Sequence, residues 1–223
     1  MTEGDTKLLR AFVSYSTKDK IMAGEVGRAL ERVGVIPFLA HEDLRVSETW
    51  RERILDELRA AHILVAVLSQ ASRESDWAPQ EIGFACANPD MLFIPLSLDE
   101  TVPFGFISHI QSQRLVLASL EDLIQDPILR RFPRRFIPGL IDQVRSSSTF
   151  RVAEQRLGRL VPLFTSLTLV EAESLAEAIA ANCQVHDAFR CRDAMIPEFL
   201  RIHGANLCES VSKELAIIMA GAL

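Results

Sequence analysis

Residues 63–68 read Ile-Leu-Val-Ala-Val-Leu, six apolar side chains with no polar residue among them. Successive side chains of a strand point to opposite faces, so a strand wetted on one face alternates apolar with polar. This run does not alternate. It predicts a strand covered on both faces, as inner strands of parallel sheets are. Parallel strands need a crossover between them, usually a helix, and the flanking sequence supplies candidates.

Residues 10–15 (Arg-Ala-Phe-Val-Ser-Tyr) read as a first strand. Ser16 or Thr17 can cap a following helix, in which Met22, Val26, Ala29, Leu30 and Val33 recur at helical spacing. Gly34 stands where a left-handed C′ residue belongs. Residues 35–40 read as a second strand, and Pro37, with no N–H to donate, places it at an edge. After a polar loop, 41–47, a second helix carries Trp50, Ile54 and Leu58 on one face, with Thr49 and Glu52 spaced as a capping box. Residues 91–98 supply another strand and 114–117 a short fifth. Residues 120–144 are helical material that Pro127, Pro133 and Pro138 are expected to interrupt. Such alternation predicts βαβ units with right-handed crossovers and a ligand site beyond the carboxyl ends of the strands. Those ends are Tyr15-Ser16, the 41–47 loop and the segment from Ser69 onward.

The third of these leads into Ser75-Asp76-Trp77-Ala78-Pro79-Gln80-Glu81. Asp76 suits an N-cap, and Pro79 then falls at the third helical position, where its missing N–H is not needed. Trp77 and Glu81, four residues apart, share one face. They read either as a core tryptophan with a solvated glutamate, or as an aromatic plate beside a carboxylate, able to hold a flat ring and a polar sugar together. Convergence of three marked segments on one rim favours the second.

Several chemistries are excluded. No Gly-rich loop follows the first strand, so neither a P-loop nor a dinucleotide fingerprint is present. The 63–68 strand ends in Leu68-Ser69 rather than the aspartate of a receiver domain, and no nucleophile elbow or Ser-His-Asp order is visible. A net charge of -6, with Arg130-Arg131 and Arg134-Arg135 as the only basic cluster, argues against nucleic acid as the primary ligand. No apolar run approaches the length of a membrane span, and the polar first residues lack the core of a signal peptide. Cys86, Cys183, Cys191 and Cys208 show no CxxC spacing, and the cytosol is the expected compartment.

With these pieces in place, residues 8–145 resemble a Toll/interleukin receptor (TIR) domain. Ala11-Phe12-Val13-Ser14-Tyr15-Ser16 is similar to that family's first box. The stretch from His41-Glu42-Asp43-Leu44 to Thr49-Trp50 is similar to its second box and BB loop, with Ser47 where the family often has glycine. Leu68-Ser69 followed by Ser75-x-Trp77-x-x-x-Glu81 resembles the active-site segment of the enzymatic branch. The third box has no clear counterpart; only Phe136 lies near it. The resemblance implies a flavodoxin-like α/β fold, with a central parallel sheet of about five strands flanked by helices.

The enzymatic branch cleaves NAD between nicotinamide and ribose, so the resemblance implies Glu81 as catalytic carboxylate. Tyr15, Ser16, Asp43, Trp50, Ser75 and Trp77 would then contact the substrate. Packing alternatives stay open for Tyr15 and Trp50, and a plain loop role for Asp43. NAD is implied as substrate, with no metal or further cofactor. Self-association of the domain is implied as the switch, in prokaryotic antiphage defence. Two other expectations remain: a non-catalytic scaffold acting by TIR–TIR association, and a nucleoside-cleaving enzyme using the same carboxylate.

Beyond a short linker, 145–149, the pattern is helical, giving a second domain at 150–223, small for an independent core. Thr168 with Glu171, and Asn206 with Glu209, are spaced as capping boxes. Leu175, Ile179 and Cys183 form one apolar stripe; Val211, Leu215 and Met219 form another, with Gly204 ending the helix between them. Cys183, His186, Cys191, His203 and Cys208 fit no zinc-finger spacing, so no metal site is expected. This tail is the expected seat of sensing or assembly, where an activating protein or ligand would bind.

Overall fold

A computed structural model of the chain describes residues 8–40 and 48–221, with 48–50 described through their backbone alone. The described residues form two compact units that divide between Phe136 and Ile137.

The first unit is built on strands β1 (Arg10–Ser14), β2 (Ile36–Leu39), β3 (Ile63–Leu68), β4 (Leu92–Ser97) and β5 (Gln113–Arg114). All pair in parallel, in the order β2-β1-β3-β4-β5. The non-alternating run is the central strand, and all six of its residues are buried. The strand carrying Pro37 is the edge, as a residue without a ladder donor requires. Helices α1 (Lys20–Arg32), α2 (Glu48–Ala60), α3 (Gln70–Arg73), α4 (Ala78–Ala85) and α5 (Leu120–Arg131) complete the unit. Phe12, Leu64, Ala66 and Leu68 of the sheet form one apolar cluster with Ile54 and Leu58 of α2 and Ile82 and Ala85 of α4. That shared cluster fixes how α2 and α4 lie beside each other.

Gly34 ends α1 as its spacing predicts. Its φ is +81°, its N–H donates to the Glu31 carbonyl at 3.0 Å, and the Val35 N–H reaches the Leu30 carbonyl at 2.9 Å. This is a Schellman closure, which favours glycine at the left-handed residue. Ser16 accepts from the Lys18 N–H and opens a 3-10 turn that leads into α1.

Four local expectations are corrected. Helix α2 already begins at Glu48, so Thr49 lies inside it rather than at a cap. Helix α4 begins at Ala78, and Asp76 does not cap it; α3 precedes it, where none was expected. Its cue was Ser69-x-x-Ser72, which forms a reciprocal capping box. Pro127 and Pro138 do not break their helices but sit inside α5 and α6 (Pro133–Arg145). Each removes one ladder bond that the turns on either side outweigh.

The division between the units falls within α6. The second unit continues with α7 (Phe150–Leu160), α8 (Leu169–Ala180), α9 (Cys183–His186), a π turn at Cys191–Met195, α10 (Ile196–His203) and α11 (Glu209–Ala220). It is helical throughout, with Leu157, Leu160, Phe164, Leu175, Ile179, Phe199 and Leu215 fully buried. Phe164 and Phe199 meet edge-to-face at 5.4 Å. The Thr168–Glu171 capping box forms, with the hydroxyl accepting from the Glu171 N–H and the carboxylate from the Thr168 N–H.

The Asn206–Glu209 box does not form. Asn206 lies in a 3-10 turn, and α11 starts after Cys208 with no side-chain cap. Cys183 is exposed and leaves the Leu175–Ile179 stripe, because the chain turns at Asn182 to begin α9. His203 Nε2 meets the Phe164 carbonyl at 2.6 Å and His186 Nδ1 that of Ile179 at 2.9 Å. Among the described residues, no group of three or more His, Cys, Asp or Glu is placed to hold a metal. None of the described helices is long and apolar enough to cross a membrane.

Candidate active site

In the order β2-β1-β3-β4-β5 the chain winds from β1 to one side, then returns to the other. The crevice beyond the carboxyl ends of β1 and β3 is therefore the topological switch point, where such sheets place their ligands. Ser14 is the last residue of β1, paired with Ala66 of β3. Glu81 reaches it from α4: the Ser14 hydroxyl donates to Glu81 Oε2 at 2.6 Å. Both side chains are buried, Ser14 at 1% and Glu81 at 2% exposure. Oε1 of Glu81 has no hydrogen-bond partner among the described residues.

A carboxylate so placed lacks the hydration that stabilises its charge. Burial pushes the Glu81 pKa up from 4.5 to about 7, against the smaller, opposite effect of the Ser14 hydrogen bond. A group titrating near neutrality in a crevice marks a functional candidate.

The start of α4 aims Glu81. Ser75 Oγ accepts from the N–H groups of Trp77 and Ala78 at 3.2 and 3.4 Å, supplying the cap that Asp76 does not. Pro79 falls within the first two helical positions, where no N–H is needed. The Glu81 N–H then closes the first turn on the Trp77 carbonyl at 2.9 Å. The expected pair thus stands one turn apart, but with exposures opposite to the plain packing alternative. The glutamate is buried rather than solvated, and the tryptophan is 37% exposed rather than in the core.

Between α2 and α4 lies a cavity of about 190 Å³, lined by Arg51, Ile54, Leu55 and Leu58 on one side and by Trp77, Gln80, Glu81 and Phe84 on the other. Of the residues expected to touch a ligand, Trp77 and Glu81 are brought together here. Tyr15, Ser16 and Ser75 are not among the described residues lining it. Tyr15 is fully buried at the end of β1, Ser16 is buried as a cap, and Ser75 is half-buried beneath the start of α4. Asp43 and the Trp50 side chain lie outside the described residues. Ser14, Arg51, Gln80 and Phe84 were not among the expected contacts. Phe84, three residues beyond Glu81, and Gln80, three beyond Trp77, had a cue in helical spacing; Ser14 and Arg51 had none.

The rim is braced by a second polar set. Ser69 Oγ donates to Asp19 Oδ2 at 2.6 Å and accepts from the Ser72 N–H at 3.0 Å, while the Gln70 N–H donates to Asp99. These bonds tie the turn after β1 to the exits of β3 and β4. The arginine cluster is engaged elsewhere: Arg131 pairs with Asp90 at 3.1 Å, and Arg135 meets His62 Nε2 at 3.2 Å.

A five-stranded parallel sheet in flavodoxin-like order, with a buried carboxylate at its switch point, defines an α/β domain of the doubly wound class. Within that class the chain belongs to the TIR domain family, whose profile matches residues 11–126, from β1 into α5 and just over half of the chain. Among curated proteins the chain matches none.

Proposed function

We propose that the protein is a TIR-family NAD glycohydrolase working in the cytosol, with Glu81 as its catalytic carboxylate. One observation carries the reading: a buried carboxylate at the switch point, with one oxygen held by Ser14, lines a cavity that it shares with an exposed tryptophan.

The chemistry suits these groups. Nicotinamide in NAD is already a cationic leaving group and needs no acid to depart. When the C1′–N bond breaks, its electron pair leaves with neutral nicotinamide and positive charge develops on the ribose. Ionised Glu81, buried and fixed by the Ser14 hydroxyl, stabilises that charge and accepts hydrogen bonds from the ribose hydroxyls. Trp77 offers the flat nicotinamide ring a face. Water adding to C1′ and losing a proton gives ADP-ribose; a nucleophile from within the substrate gives a cyclic product. No metal or further cofactor enters this scheme.

Nicotinamide release from NAD by concentrated protein, with products separated by chromatography, tests the reading. Glu81→Gln is expected to lower release roughly 10²–10³-fold, as loss of a principal transition-state contact does. Undiminished release by the folded variant overturns it. A folded wild-type protein that self-associates but releases no nicotinamide at any concentration, even with lysate from infected cells added to supply an activating partner, would instead be a TIR scaffold.

Family membership supports activation by self-association, and antiphage defence is the role that fits a switched NAD-consuming enzyme. Residues 150–223 form the proposed sensing or assembly module, following a TIR domain taken as 8–145.

A further inference from the structure

We propose, resting on the dinucleotide reading above, that the groove between α2 and α4 holds its ligand lengthwise, with the diphosphate and purine half seated at Arg59, Phe84 and Asn88. A second cavity of about 290 Å³ is lined by Leu58, Arg59, Phe84, Ala85, Ala87 and Asn88. It adjoins the first, since Leu58 and Phe84 line both. Along both helices the lining advances toward the C-terminus, from Arg51 and Trp77 in the first cavity to Arg59 and Asn88 in the second. From Arg51 to Arg59 the groove therefore extends roughly 12 Å at the rise of an α-helix. That suits an extended dinucleotide with its reactive ribose at Glu81.

The distal end has the chemistry for this half of the ligand. The Phe84 ring is 38% exposed, and the Arg59 guanidinium stands over it at 5.6 Å. An aromatic face with a guanidinium is a stacking platform for a base, and the planar fork matches phosphate oxygens. Arg59 is paired with Asp56 at 2.9 Å, but both side chains are more than half exposed. Such a pair is worth little and yields to a diphosphate. Asn88 Oδ1 accepts from the Asp90 N–H at 3.0 Å, which leaves its amide N–H2 to donate to a purine ring nitrogen. In a chain of net charge -6, the attraction for an anion has to be local, and Arg51 and Arg59 supply it along one wall.

The test is calorimetry on the full-length Glu81→Gln protein, with ADP-ribose and nicotinamide riboside as probes. Arg59→Ala is expected to weaken ADP-ribose binding about tenfold or more, as loss of a charge-assisted phosphate contact does, and to leave the riboside unaffected. Asn88→Ala, at a half-buried surface position, should act in the same sense. ADP-ribose binding indifferent to both substitutions, or equal losses for both probes, overturns the groove. Glu81-dependent nicotinamide release combined with such indifference would remove the groove and keep the glycohydrolase. Arg59-dependent binding without any release would remove the glycohydrolase and keep the groove.

Discussion

At the scale of single residues, Glu81 should give stability and the proposed activity opposite dependences on pH. With its pKa lifted to about 7, the folded chain holds a proton that the unfolded chain has released above 4.5. The stability tied to this group is therefore complete below 4.5 and lost as pH rises through about 7, on the order of 3 kcal/mol in all. Urea melts between pH 5 and 8 should show that decline in the wild type, and Glu81→Gln, which cannot ionise, should flatten it. The proposed glycohydrolase needs the ionised form, so its kcat/KM for NAD should climb with pH and level off above about 7. Ser14→Ala removes the hydroxyl that favours the charged form. The inflection in kcat/KM should then move higher, at a stability cost of about 1–3 kcal/mol for a buried oxygen left unpaired. Trp77 and Glu81 were legible as a pair because four residues on a helix are neighbours in any fold. The bond from Ser14 to Glu81 spans 67 residues, and no local spacing encodes it.

At the scale of elements, three signals that rest on backbone geometry read true, whereas Pro127 and Pro138 were absorbed within their helices. The six-residue apolar run became the central strand, Pro37 marked the edge, and Gly34 closed α1. Leu64→Ala, in the middle of β3 and fully buried, should cost about 2–5 kcal/mol in urea melts, the range for a large core truncation. Capping spacings were less dependable, because the same pattern arises wherever a polar residue happens to precede an acid. Thr168→Ala should cost about 1 kcal/mol, since its box forms. Asn206→Ala, at an exposed position with no capping bond, should stay within about 0.5 kcal/mol of wild type by the same melts.

At the scale of the whole molecule, the proposal that self-association switches the enzyme on predicts release per mole of protein that rises with concentration. Sedimentation and nicotinamide assays on the same samples check it. Removal of residues 150–223 should alter oligomeric state or regulation; unchanged values of both would sink the assembly role. That cut also strips the carbonyls of Arg145 and Ser147 of their bonds from Asn182, so the stability of the product is measured alongside. By itself the sequence determined what is local or periodic: the class of fold, the inner strand, its edge, and the one-turn spacing of Trp77 and Glu81. Only the tertiary structure decided that Glu81 is buried against Ser14 and that Trp77 faces outward into a groove. Which way a helix face points depends on how the helix is rotated against the sheet. Ile82 and Ala85 set that rotation by packing with Phe12 and Leu68, contacts that form only once distant segments meet.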